Sequence, residues 1–260
     1  MATLAFARSR KNHLWTSGQI EEALRHPECD GELPGWAGRV YSECRTKLLD
    51  PRFPCYFATK AFKRGTLLFE FADSPSSTSS LHQVSESLRE YLNLVQGRTD
   101  EEALLTVFMV FIKPEDGTLS LEEYHRQAWS ILQFLHDHDP APWPSHVPTN
   151  PDDPRWSFCF DGAPIFVNIT SPGHTARRSR NLGSALTLVI QPREAFDEIA
   201  GHTPKGELIR KVIRERLVTY DGVGPAPELG TYGDPGCTEW RQYGLTDDNG
   251  LSPSQCPLKI

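Results

Sequence analysis

Long apolar runs are missing from this 260-residue chain, which contains no stretch of 18 consecutive apolar residues, so a membrane-spanning helix is not expected. The opening residues, MATLAFARSRKNH, lack the continuous apolar core of a secretory signal, and a cytoplasmic location follows as the default expectation. Cysteine is scattered: Cys29, Cys44, Cys55, Cys159, Cys237 and Cys256 form no CxxC pair, which removes zinc-ribbon and thioredoxin-type readings. Buried free thiols are expected in preference to a disulfide framework. Acidic residues outnumber basic ones, 34 to 27. With a net charge of −7 the chain lacks the broad basic face that neutralising nucleic-acid phosphates requires.

Common catalytic signatures are absent as well. No GxGxxG follows a strand, and no GxxxxGK[ST], HExxH or GxSxG occurs, so dinucleotide, nucleotide, zincin and esterase readings have no support. What is present is core: 38% of residues are hydrophobic, including thirteen Phe and six Trp, enough for a packed interior in one domain. The expected class is α+β, with a mixed, largely antiparallel sheet flanked by helices. Residues 1–14 are expected to form a flexible arm, 15–243 the domain, and 244–260 a glycine- and proline-rich tail.

Along the chain, Ser17 is the expected N-cap of a short helix, GQIEEALRH. Val40, Cys44 and Leu48 at helical spacing predict a second helix, ended by Pro51. PCYFATKAF and GTLLFEFA predict a β-hairpin turning near Gly65, and SPSSTSSLHQ a mobile serine-rich loop. A helix over Val84 to Gln96, a central strand in LLTVFMVFI, and a long helix from Ser120 with Glu123 completing its capping box follow. The proline-dense crossing from Asp139 leads into residues 154–193, which read as strand, turn, strand, loop, strand. Beyond it, a helical segment is expected to break between Gly201 and Pro204.

The loop from Ser171 to Asn181 holds His174, Arg177, Arg178 and Arg180 between two apolar strands, a density of donors and cations that suits an anion. His136 falls on the apolar stripe of the long helix and is expected to face inward. In His136-Asp137-His138 the rings diverge by about 200° around a helix axis, so His138 reads as a helix cap, not as a second metal ligand. A lone core histidine is most often structural. The alternative is an axial haem ligand, with the arginines taking the propionates. Cys55, after Phe53-Pro54, is a possible thiolate, but a buried structural cysteine is the favoured reading.

Six separated motifs, LLDPRFPCYFA, LQFLHDHDPAPWP, PDDPRWSFCFDGAPIFVNIT, PGHTARRSRNLG, LVIQPREAFD and YGDPGCTEWRQY, occur in order between residues 48 and 243. In these the chain resembles the YqcI/YcgG family. The resemblance implies a haem b-dependent monooxygenase that uses O2 and an external electron donor to hydroxylate a nitrogen of a guanidine- or amine-bearing small molecule, such as arginine or an arginine-derived compound. It implies alanine where this chain has Gly173. Under that reading His136 or His174 is the iron ligand, Arg177, Arg178 and Arg180 are the propionate contacts, and Asp139 and Asp161 are the first candidates to meet a cationic substrate. Asp137 and Glu70 follow them. No nucleic-acid or membrane partner is expected, and a homodimer is left open. The rival reading is a non-catalytic haem or small-anion binding or sensor protein.

Overall fold

The computed structural model describes residues 14–26, 33–96, 98, 101–117, 119–250 and 252–260. Its centre is one six-stranded sheet. The strands are β1 (Trp15–Thr16), β2 (Leu67–Ala72), β3 (Val107–Ile112), β4 (Phe158–Phe160), β5 (Ala163–Thr170) and β6 (Leu186–Pro192), in the order β1-β2-β3-β6-β5-β4. Only β2 and β3 pair in parallel, so the sheet is mixed and largely antiparallel, and the class is α+β as expected.

Both faces of the sheet are covered, which is why β3 reads as an unbroken apolar run and β2 as one interrupted only by Glu70. On one face Phe108, Val110, Ile165, Val167, Leu188 and Ile190 pack against α4 (Thr78–Val95) and α6 (Leu121–Asp137). On the other, Phe69, Phe71, Met109 and Phe111 meet α1 (Ser17–Arg25), α2 (Ala37–Leu48) and α3 (Tyr56–Arg64). The remaining helices are α5 (Glu101–Leu105), α7 (Arg193–Ala200), α8 (Pro204–Asp221) and α9 (Glu239–Tyr243).

Several expectations hold in detail. Ser120 and Glu123 form the capping box of α6, and His138 is its C-cap, with Nδ1 2.9 Å from the Phe134 carbonyl. The strand, turn, strand, loop, strand reading of residues 154–193 is realised as β4, β5 and β6, and the β4–β5 turn places Asp161 and Gly162 at φ 49° and 74°. Both signs suit a two-residue hairpin loop, and Asp-Gly is the pair that accepts them. The break between α7 and α8 falls at Gly201–Thr203, with Pro204 in the first turn of α8, where its missing N–H costs nothing.

Other expectations are corrected. The hairpin at PCYFATKAF does not form: Tyr56–Arg64 is α3, because Ala58, Ala61 and Phe62 share one helical face, and Gly65, at φ 68°, is the left-handed C-cap of that helix. The serine run is largely helical, since Ser77 caps α4 by accepting the Ser80 N–H and the helix starts at Thr78, not Val84. The strand β3 begins at Val107, with Leu104 and Leu105 in α5. The N-cap of α1 is Thr16, in a capping box with Gln19, one residue before the expected Ser17. The expected arm lies outside the described residues over 1–13, while Leu14 is buried in the core.

Candidate cofactor and substrate site

Alternation along three neighbouring strands builds one wall of a cavity. Val107 and Met109 on β3, Val189 and Gln191 on β6, and Phe166, Asn168 and Thr170 on β5 point to the same side of the sheet, with Met109 opposite Val189 and Val189 opposite Asn168. Ile209, Ile213 and Leu217 of α8, at one helical spacing, form the facing wall, and Phe57, Ala58 and Ala61 of α3 close one end. The enclosed volume is about 300 Å³, at the lower end of the range of about 300–1,000 Å³ for ligand cavities.

Few polar groups enter this apolar space. Asn168 Oδ1 is buried there with no hydrogen-bond partner. Arg180, 8% exposed, donates Nη1 to the Tyr243 carbonyl at 3.0 Å and Nη2 to the Gln242 carbonyl at 3.1 Å, and no carboxylate pairs with it among the described residues. Burial and the nearby Arg177 pull its pKa down to about 9, against the opposing pull of Asp221. Cys55 caps α3, where burial raises its thiol pKa and the N–H groups of Ala58 and Phe57, with Arg216, act in the other direction. A wider and more open cleft of about 720 Å³ runs between α6 and the C-terminal segment, with Glu122, Arg126 and Lys259 beside Trp129 and Trp240. The apolar cavity is the better ligand site.

The residues singled out in the sequence fall mostly elsewhere. His174 is fully buried, with Nε2 3.0 Å from the Leu245 carbonyl and Nδ1 3.3 Å from Ser171 Oγ. Burial lowers its pKa to about 4, so the ring is neutral. Asp247 takes up the donors of the loop that carries it, accepting the N–H groups of Thr175, Ala176 and Arg177, while Asp221 accepts from Ser179 N–H at 2.7 Å. The anion that this loop was expected to bind is thus supplied by the chain itself. Arg177 donates to the Thr246 carbonyl and to Asn249, and Arg178 to the Tyr220 carbonyl, so of the three arginines only Arg180 lines the cavity.

His136 is half-buried instead of facing the core, its ring edge-on to Trp143 at 5.8 Å. Asp139 and Asp161 do meet, but through the backbone: Asp139 Oδ1 accepts the Asp161 N–H at 2.9 Å, and Asp161 pairs with Arg89 at 3.3 Å. Burial raises the Asp139 pKa, and the Ala141 and Asp161 N–H groups oppose the rise. Neither histidine and neither aspartate is among the cavity-lining residues. The five described cysteines are free, and Cys29 lies outside the described residues.

The YqcI/YcgG family model matches residues 44–259, which hold the sheet from β2 onward, the cavity and the C-terminal segment. The chain belongs to the YqcI/YcgG family. The match runs past Tyr243, where the recognisable motifs end, so the segment clasped by His174, Arg177 and Arg180 is part of the family's fold. A Streptomyces lavendulae protein named "Putative N(omega)-hydroxy-L-arginine synthase DcsA" is 39% identical over 245 residues, covering 93% of this chain and 91% of that protein. The Bacillus subtilis protein YqcI, described as uncharacterized, is 35% identical over 230 residues, covering 87% and 89%. A second Bacillus subtilis relative, YcgG, also described as uncharacterized, is 36% identical over 231 residues. No solved structure matches the chain.

Two parts of this YqcI/YcgG fold escaped the sequence reading. Glu239, with no exposure, accepts from Arg193 at 2.7 Å, Ser157 at 2.6 Å and Tyr243 at 2.9 Å, a network whose members lie up to 86 positions apart. No local pattern announces such a contact. Asn168 and Gln191 did leave a signal: each is a polar residue inside an otherwise apolar strand, PIFVNIT and LTLVIQP, and a polar side chain at an inward position marks a cavity or a buried partner.

Proposed function

We propose that this YqcI/YcgG protein is a haem-dependent monooxygenase that hydroxylates a guanidine nitrogen of arginine or of an arginine-derived compound. The observation that carries the reading is identity of 39% across 93% of the chain with the relative whose name specifies N-hydroxyarginine synthesis. The overall reaction balances as a substrate N–H, O2, two electrons and two protons giving N–OH and water, the electrons coming from an external donor.

The lining of the apolar cavity is compatible with a macrocycle: Val107, Met109 and Val189 on one side and Ile209, Ile213 and Leu217 on the other supply flat apolar walls, and Arg180, Arg210 and Arg214 supply cations suited to propionates. Haem, when bound, supplies the activation of O2. The chain's own contribution is to exclude water and to orient the substrate. A guanidinium carries five N–H donors and no acceptor, and the unpaired Asn168 Oδ1 is an acceptor placed in the cavity. In this reading Asn168 meets the guanidinium inside the cavity, and Asp139 and Asp161 stand outside its lining.

Titration of the purified protein with haem, followed by difference spectra with a panel of guanidines, tests this reading. Stoichiometric haem uptake with a spectral change specific to arginine or its derivatives is expected. Failure to bind haem would refute it. Asn168→Ala is expected to weaken the arginine-induced spectral change roughly ten- to a hundredfold while leaving haem uptake intact, the scale of losing about 1.5–3 kcal/mol from a hydrogen bond to a charged group.

A further inference from the structure

Resting on the haem-dependent reading above, we infer that Cys55 is the axial ligand of the iron and binds it as a thiolate. Iron in haem needs a strong axial donor from the protein, and the donors in use are imidazole, thiolate, thioether and phenolate. Among the described residues no histidine and no tyrosine lines the apolar cavity; its candidate donors there are Cys55 and Met109. Met109 is 3% exposed in the middle of the central strand, packed into the sheet as one more apolar side chain. A thioether also suits electron transfer, whereas a thiolate pushes electron density toward the iron and favours O–O cleavage, which a monooxygenase needs. Cys55 is therefore the donor that matches both the place and the chemistry.

The surroundings of Cys55 are those a thiolate ligand requires. It is the N-cap of the nine-residue helix α3, so the positive end of the helix and the first-turn N–H groups of Phe57 and Ala58 favour a negative sulfur. The segment in front of it is fixed from α8: Arg216 donates to the carbonyls of Pro51 at 3.2 Å, Phe53 at 2.6 Å and Pro54 at 3.1 Å, and its charge lies beside the sulfur. A helix N-terminus carrying a rigid Phe-Pro-Cys turn gives the sulfur one direction. Two features independent of the cysteine mark the same cavity as a ligand site: a buried cation that suits an anion, and a buried acceptor that suits an N–H donor such as a guanidinium. Arg180 is more than nine-tenths buried there without a carboxylate partner among the described residues, and Asn168 Oδ1 is buried there unpaired. A buried cation held by two backbone carbonyls, with Asp221 as its nearby counter-charge, suits a further anion, and haem carries two propionates.

Neither histidine favoured by the sequence lines this cavity. Both ring nitrogens of His174 are engaged within the chain, and His136 stands against Trp143 outside the cavity lining.

The test is the spectrum of the reduced haem protein with carbon monoxide, recorded on the full chain, together with electron paramagnetic resonance of the ferric form. Expected are the strongly red-shifted Soret band and the narrow low-spin signal of thiolate ligation, both lost in Cys55→Ser and both kept in Met109→Leu, His136→Ala and His174→Ala. The wild-type spectrum decides the matter even if a variant folds poorly. A carbonyl spectrum of the imidazole type in the wild-type protein, or a thiolate signature that survives Cys55→Ser, would overturn the assignment while leaving the haem-dependent reading in place. Absence of any haem binding by the wild-type protein would remove that reading and this inference with it.

Discussion

Glu239 is a carboxylate with no solvent exposure, and its stability depends on Arg193, whose guanidinium lies 2.7 Å away and is itself packed against Phe166, Phe196 and Tyr232. Arg193 also pairs with Asp197 at 2.7 Å, so it keeps a partner when Glu239 is removed, whereas Glu239 without Arg193 is left buried with no cation beside it among the described residues. Arg193→Ala is therefore expected to destabilise the fold by about 3–5 kcal/mol, read by urea denaturation, whereas surface changes such as Arg126→Ala should stay within about 0.5 kcal/mol.

Glu70 is a second buried carboxyl, on β2, where Ser87 Oγ donates to Oε2 at 2.5 Å and the Phe71 N–H to Oε1 at 2.8 Å. Burial outweighs both contacts and raises its pKa to about 7 from an ordinary 4.5. Between those two values the folded state holds more protons than the unfolded chain, so stability falls as pH rises through that window and levels off above it. The loss is on the order of 3 kcal/mol. Denaturation midpoints measured across the window should show the decline in the wild-type protein and a flatter line in Glu70→Gln. An unchanged slope in that variant would remove Glu70 as its source. The sequence showed Glu70 as a lone charge between two phenylalanines, but its partner Ser87, on the next helix, could not be read from spacing.

Among the elements, those with strong local signals were legible and those with shared signals were not. The capping box of α6 and the Asp-Gly turn between β4 and β5 are local chemistry, and both stand where the residues place them. The segment before Gly65 carries a short apolar run that strand and helix use equally well, and a glycine that serves a hairpin turn or a helix C-cap with the same left-handed φ. Tertiary packing of Ala61 and Phe62 against Tyr41 and Phe69 decided for the helix. That outcome also brought Cys55 to a helix N-terminus, where a hairpin would have left it on a strand.

Gly173 illustrates a contact between elements. A Cβ at this position would lie 3.0 Å from Leu121 Cα and 3.1 Å from the Tyr124 ring, so a side chain here requires the first turn of α6 to give by a few tenths of an ångström. The glycine where the family resemblance implies alanine thus accompanies a tight docking of α6, and the turn carrying His174 is held by Ser171 and Asn181. Gly173→Ala is expected to cost about 1–3 kcal/mol by displacing that helix end, visible as a lowered Tm.

For the whole molecule, the class and strands β2 to β6 followed from patterning, whereas β1, the helix at Tyr56–Arg64 and the strand order did not. The sheet places β6 between β3 and β5, so the cavity wall is assembled from strands that are not consecutive in the chain. For the same reason the sequence pointed to the arginine loop as an external anion site: its partners Asp221 and Asp247 lie on α8 and in the C-terminal segment, 42 and 70 or more positions away. The loop, β5 and the C-terminal segment instead form a clasp that leaves Arg180 at the cavity. No described helix is long and apolar enough to cross a membrane.

The central claim is that the chain inserts one oxygen atom from O2 into a guanidine N–H. The most direct measurement is mass spectrometry of the products formed by the haem-loaded, reduced protein with L-arginine or an arginine derivative under isotopically labelled dioxygen. The account predicts an N-hydroxylated guanidine carrying one labelled oxygen atom. Haem-loaded, reducible protein that leaves every such guanidine unchanged, or a product whose oxygen comes from water, would contradict it.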